Sequence, residues 1–166
     1  KFSKNYDYKL LKIKPYKIKK KLVSSTRIRK CFQTGNIKLG NKLLSRIWSI
    51  RGKVEGGKKL GRKLGYRTCN IRIKNYVLPM PGIYAVKILI ENKKKFLKGI
   101  AYVGTRPTFK GKEIILEINI FNFKENLYKK KLKVYFFKFI RRDRKFKSSA
   151  ALIKQMNKDV ISAKKV

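Results

Sequence analysis

Between Ile47 and Ile140 apolar and polar residues alternate in a series of short runs, with no helical pattern between them. Trp48, Ile50 and Val54 hold the even positions of the first run. Thr68 reads as the start of another, and Ile83 to Ile90, Phe96 to Val103, Ile114 to Phe123 and Leu132 to Ile140 follow. Within Ile114 to Phe123, Leu116, Ile118 and Ile120 share one face while Glu117, Asn119 and Phe121 share the other. A parallel sheet needs helical crossovers between its strands, and this pattern has no room for them. About six strands so closely spaced predict a mainly β antiparallel barrel or sandwich.

Helical signals are confined to the two sides of that block. Ser24 or Ser25 suits the N-cap of a helix running to about Phe32, and Thr34-Gly35-Asn36 breaks it. Leu39, Leu43 and Leu44 mark a second short helix, with Gly40 as its weak point. Ser148 or Ser149 caps a final helix with Ile153, Met156, Val160 and Ala163 on one stripe. Lys1 to Leu22 is weakly patterned, and Leu10, Leu11 and Ile13 suggest a short strand or a loop. The chain opens on Lys1 rather than Met, which reads as a fragment or a processed product.

Size and composition exclude several classes. A chain of 166 residues is one ordinary domain with room for a short appendage. Hydrophobic residues make up 43%, with 10 Phe, 9 Tyr and 1 Trp, so intrinsic disorder is not expected. No uninterrupted apolar stretch approaches a membrane span, and Lys1 to Lys30 lacks the apolar segment of a signal peptide. Cys31 and Cys69 make neither a disulfide framework nor a zinc site. A cytoplasmic protein is expected. The absence of histidine removes Ser-His-Asp and Cys-His triads, HExxH metalloproteases and His-ligated metals together.

The formal charge of +39 invites a nucleic-acid reading. The lysines are spread along the chain, however, and Lys, Ile, Asn, Phe and Tyr are the residues that an A- and T-rich genome favours. Non-specific attraction to polyanions at low salt follows from such a charge; sequence-specific recognition does not.

Four segments carry candidate chemistry. Gly56 to Gly65 combines glycines with Lys and Arg, which suits close backbone approach to phosphate, although it lacks the P-loop ending and equally fits a mobile hairpin. Thr68 and Asn70 lie on one side of an extended chain, where a hydroxyl and an amide oxygen suit a hard cation such as Mg²⁺ and a phosphate oxygen, or else a simple turn into a strand. Glu117 is a lone carboxylate on the more polar face of an apolar strand, either lining a cleft or merely exposed. Any carboxylate base must come from Asp7, Glu55, Glu91, Glu113, Glu117, Glu125, Asp143 and Asp159. Val23 to Arg29 places hydroxyls and arginines at a helix N-terminus, as phosphate ligands or as an ordinary cap.

The order of these segments is more telling than any one of them. Gly61-Arg62-Lys63-Leu64-Gly65-Tyr66-Arg67-Thr68-Cys69-Asn70 resembles the G-R-x-L-G-F-P-T-A-N signature of riboflavin kinases. Pro81 to Val86, Val103 to Phe109, Leu116-Glu117, Asn126-Leu127-Tyr128 and Phe139-Ile140-Arg141 resemble that family's later blocks in the same order. Val23 to Arg29 is similar to the motif that ends the adenylyltransferase domain of bifunctional bacterial FAD synthetases.

The resemblance implies a six-stranded Greek-key barrel with a C-terminal helix, preceded by two short helices. It divides the chain into the tail of an adenylyltransferase domain (1–44) and a riboflavin kinase domain (45–166). It implies ATP and riboflavin as substrates with Mg²⁺ as cofactor. Thr68 and Asn70 would bind the metal and ATP phosphate, with Gly57, Gly61 and Arg62 in a phosphate flap. Glu117 would take the proton from the riboflavin 5′-hydroxyl. The loop from Arg141 to Phe146 would close over the flavin, making those two residues its contacts.

Three positions depart from the family pattern: Arg67 and Arg142 stand where it has proline, and Cys69 where it has alanine. Without a histidine or the nucleotide-binding core, FMN adenylyltransferase activity is not expected from this chain alone. Two other readings fit some of these features. A non-catalytic basic relative that binds RNA would explain the charge and Arg67. An FMN carrier would keep the flavin loop without needing Glu117.

Overall fold

Ser24 and Asn36 decide where the first helices begin. The computed structural model describes residue 6, residue 9 and residues 11–56, 65–73, 75–108 and 111–166. Helix α1 spans Ser25–Gln33 and α2 spans Ile37–Leu44. Ser24 Oγ accepts a hydrogen bond from the Arg27 amide at 3.2 Å, and Asn36 Oδ1 accepts one from the Leu39 amide at 3.2 Å. Ahead of them lies a hairpin of β1 (Lys17–Ile18) and β2 (Lys21–Leu22). Its turn residues Lys19 and Lys20 have φ of 51° and 61°, a conformation usually announced by Asn or Gly. That is why the sequence pattern conceals it.

Six strands follow: β3 (Ser49–Glu55), β4 (Cys69–Arg72), β5 (Gly82–Ile90), β6 (Phe96–Thr108), β7 (Gly111–Ile120) and β8 (Lys131–Arg142). They close into a barrel in the order β3-β4-β7-β6-β5-β8, with every pairing antiparallel. The neighbours β5, β6 and β7 form a meander, and β8 returns to lie beside β5, which makes a Greek key. Closure leaves no open sheet edge. The alternation read from the sequence fills the interior: Ile50, Ile71, Ile88, Leu116, Ile118, Val134 and Phe136 are wholly buried.

Both early helices share that core. Phe32 of α1 stacks on Trp48 with ring centroids 4.7 Å apart, and Trp48 packs on Phe136 at 4.8 Å. Buried Asn41 of α2 donates through Nδ2 to the Phe136 carbonyl at 2.9 Å and accepts from the Trp48 amide at 2.8 Å. Residues 25–44 therefore pack on the barrel although their sequence motif resembles a neighbouring domain. Helices this short are not stable without tertiary partners.

Helix α3 (Ser149–Lys164) starts at Ser148, whose Oγ accepts from the Ala151 amide at 3.2 Å, and packs against β5, β6 and β8. On its inner stripe Met156 and Val160 are half-buried and Ala163 is buried, as the spacing predicts. Asp159 is buried on the same side.

Candidate active site

Glu117 lies at the centre of a three-strand patch on the outside of the barrel. Its neighbours Leu116 and Ile118 point into the core, so the pleat turns Glu117 outward. Across β4 its register partner is Asn70, and across β6 it is Tyr102. Cross-strand partners share a face, so all three side chains project from the same patch. Thr68, one residue before β4, donates its hydroxyl to Glu117 Oε1 at 2.6 Å, a short bond of the kind an ionised acceptor makes. Thr68, Asn70 and Glu117 are thus brought together from positions 47 to 49 residues apart in sequence.

Beside Thr68 opens a cleft of about 380 Å³ whose lining includes Gly56, Arg67, Asn70, Phe123, Asn126 and Tyr128. Asn126 Oδ1 accepts from the Tyr128 amide at 2.9 Å, a local turn that shapes one wall, and buried Leu127 anchors it. The Arg67 carbonyl accepts from Asn119 Nδ2 at 2.7 Å, which fixes the backbone just before Thr68. Two carboxylates in the wall are already neutralised: Glu55 pairs with Arg72 at 3.3 Å and Glu125 with Lys93 at 2.8 Å. The Lys93 hydrogen bond holds the Glu125 carboxyl below its ordinary pKa. The predicted flap residues Gly57, Gly61 and Arg62 lie outside the described residues.

Burial, with the Glu117 charge adding to it, pushes the neighbouring Cys69 thiol up to about 12. Tyr102 is likewise raised to about 12, first by burial, then by its hydrogen bond to Asp143 and by the charges of Asp143 and Glu117. Both groups are neutral at ordinary pH.

The donor atoms offered here are a hydroxyl, an amide oxygen and a carboxylate, all hard oxygens. Among the described residues no cluster of three His, Cys, Asp or Glu forms a metal cage. Such a set suits a cation like Mg²⁺, which keeps few protein ligands and shares substrate phosphates.

Arg141 and Phe146 stand apart from the Thr68–Glu117 contact. Arg141 pairs with Asp159, its Nη2 2.7 Å from Oδ2, and the guanidinium groups of Arg141 and Arg144 lie 5.6 and 4.9 Å from the centre of the Phe146 ring. The sequence pattern singled out no role for Tyr102 and named Asp143 and Asp159 only among the possible carboxylate bases. A signal existed for Asp159: a lone acid beside Val160 and Ala163 on an apolar stripe needs a buried cation. Tyr102 between the core residues Ala101 and Val103 carried only the weaker signal of facing outward.

Residues 44–166 match the sequence model of Flavokinase, described as riboflavin kinase. The chain belongs to the riboflavin kinase family. A bifunctional riboflavin kinase/FMN adenylyltransferase of Buchnera aphidicola subsp. Schizaphis graminum is 42% identical over 163 residues, covering 96% of this chain and 52% of that protein. Its counterpart in Haemophilus influenzae is 39% identical over 142 residues, covering 86% of this chain and 46% of the relative. The chain thus spans about half the length of the curated relatives it matches. Among solved structures, a Streptococcus pneumoniae protein described as a macrolide-efflux protein superposes with a TM-score of 0.88 at 32% identity, over 98% of this chain and 53% of that one. Riboflavin kinase from Trypanosoma brucei shares the fold, with a TM-score of 0.50 at 21% identity over 70% of this chain and 77% of that one. No described helix in this riboflavin kinase family member is long and apolar enough to cross a membrane.

Proposed function

We propose that this riboflavin kinase domain transfers the γ-phosphoryl group of ATP to the riboflavin 5′-hydroxyl, giving FMN and ADP. The observation that carries the reading is the 2.6 Å hydrogen bond from Thr68 to Glu117 at the edge of the cleft. Phosphoryl transfer demands positioning and charge neutralisation more than covalent chemistry, with one residue to orient the attacking hydroxyl. Glu117 accepts the hydroxyl proton, and Thr68 holds the carboxylate in place for it. The cleft lined by Arg67, Asn126 and Tyr128 takes the nucleotide. Mg²⁺ bound with ATP supplies neutralisation of the phosphate charge. Thr68 and Asn70 provide its protein oxygens. Gly57, Gly61 and Arg62 complete the phosphate flap, a role that rests on the sequence motif. Phe146 offers an aromatic face to the flavin, and Arg141 supports that loop through Asp159.

In this reading residues 1–44 are the tail of an adenylyltransferase domain, the activity that the relatives' names pair with riboflavin kinase, and its nucleotide-binding part is not among these 166 residues. FMN adenylyltransferase activity requires that further part. A cytoplasmic location goes with these substrates, and cell fractionation checks it. Polyanions bind only through the diffuse charge, so log affinity for heparin falls linearly with log salt; binding that persists in physiological salt contradicts this.

Incubation with riboflavin, ATP and Mg²⁺ followed by chromatography tests the assignment. FMN is expected from the parent. Glu117→Gln keeps the acceptor oxygen for Thr68 but loses the base, and turnover falls by roughly 10²–10⁴-fold. A parent that makes no FMN, or a Glu117→Gln variant that turns over within a few-fold of it, overturns the reading.

A further inference from the structure

Tyr102 and Asp143 form a contact that the proposed chemistry does not yet use. The Tyr102 hydroxyl donates to Asp143 Oδ2 at 2.8 Å, joining β6 to the segment just after β8. Room for this comes from Gly104. A Cβ at that position would overlap the Tyr102 ring and hydroxyl, so the ring lies across the glycine to reach Asp143. The hydroxyl, raised to about 12, keeps its proton at neutral pH and acts as the donor.

The contact continues into the loop and helix α3. Asp143 Oδ1 accepts from the Arg144 amide at 2.8 Å. The Arg144 guanidinium donates to Gln155, and Gln155 Nε2 donates to Asp159 Oδ1 at 2.7 Å. Asp159 in turn holds Arg141 at the end of β8. Tyr102 is therefore the point at which this network meets the strand next to Glu117.

Strand order says which substrate lies there. The cleft assigned to the nucleotide borders Thr68 and Asn70, on the β4 side of Glu117. In an in-line displacement the attacking and leaving oxygens lie on opposite sides of the transferred phosphoryl group. The acceptor alcohol must then approach from the β6 side, past Tyr102 and Asp143.

We infer that Tyr102 is a positioning residue for the acceptor substrate: its hydrogen bond to Asp143 pins the 143–148 loop against the barrel beside Glu117. This inference rests on the kinase reading for the identity of the acceptor. Its test uses riboflavin binding, followed by quenching of riboflavin fluorescence, which needs no turnover.

Tyr102→Phe should weaken riboflavin binding roughly threefold to tenfold, the scale of one ordinary solvent-exposed hydrogen bond, and leave ATP affinity unchanged. In turnover it should raise riboflavin KM more than it lowers kcat. Asp143→Ala should show the same loss, and the double variant no more than either single one. Asp143→Asn keeps an acceptor oxygen and should retain most of the affinity. Riboflavin affinity within about twofold of the parent in Tyr102→Phe, equal losses for ATP, or multiplied losses in the double variant overturn the pin. A parent that binds riboflavin but makes no FMN retires the kinase reading and leaves the pin to be judged on binding. A parent that does not bind riboflavin overturns both.

Discussion

Arg141 at the end of β8 grips Asp159 of α3 through the Nε–Nη2 edge of its guanidinium group. Nε lies 3.1 and 2.9 Å from the two carboxylate oxygens, and Nη2 lies 2.7 Å from Oδ2. Asp159 is 3% exposed, so the pair is buried and removing one partner leaves the other without its counter-charge. Asp159→Ala strands the Arg141 cation in a largely buried place, and a loss of about 3–5 kcal/mol is expected. Urea unfolding measures it; a loss below about 1 kcal/mol would mean that the pair behaves like a surface contact.

Thr68 is expected to govern nucleotide binding and, through its hydrogen bond to Glu117, turnover, but not riboflavin binding. Thr68→Ala removes a cation oxygen and the donor to Glu117, so Mg·ATP affinity should fall about tenfold or more. Riboflavin affinity should hold. Calorimetric titration with each ligand separates the two, and equal losses would indicate damaged folding instead of a lost ligand.

Alkaline stability should report on Cys69. Burial raises its pKa from an ordinary 9.0 to about 12, so folding favours the neutral thiol. Stability from this group is complete below about pH 9 and is lost as pH climbs toward 12. Tyr102, raised from 10.0 to about 12, adds to the upper part of that loss. Cys69→Ala should therefore flatten the decline between pH 9 and 12. Urea midpoints across the range check this, and a slope identical to the parent's rejects it.

Asn41 tests whether the early helices belong to the barrel. It bonds both the Trp48 amide and the Phe136 carbonyl, and both bonds are buried. Asn41→Ala should cost about 2–4 kcal/mol in a single cooperative transition, since two buried groups lose their partner. Two separate unfolding transitions in the parent would show instead that residues 25–44 fold independently of the barrel.

Local pattern made the outer patch legible residue by residue, and only the family resemblance joined those residues into a site. Glu117 announced itself as a carboxylate on the polar side of an apolar strand, and Thr68 and Asn70 as oxygens on one side of an extended segment. Their meeting depends on β4 lying beside β7, a non-sequential pairing that local pattern does not encode. Arg141 reads from its motif as a flavin contact, yet its guanidinium group is engaged by an acid on a helix that local pattern could not place against it.

By itself the sequence determined the period-2 runs, the caps at Ser24 and Ser148, and the ordered motifs that belong to riboflavin kinases. These are properties of neighbouring residues, set by backbone sterics, capping hydrogen bonds and side-chain alternation. Tertiary structure decided the rest: barrel order, the union of α1 and α2 with the core, the Arg141–Asp159 pair, and the convergence of Thr68, Asn70, Glu117 and Tyr102. Those contacts join residues far apart in the chain, and they come together where the closed barrel buries the inner faces of its strands.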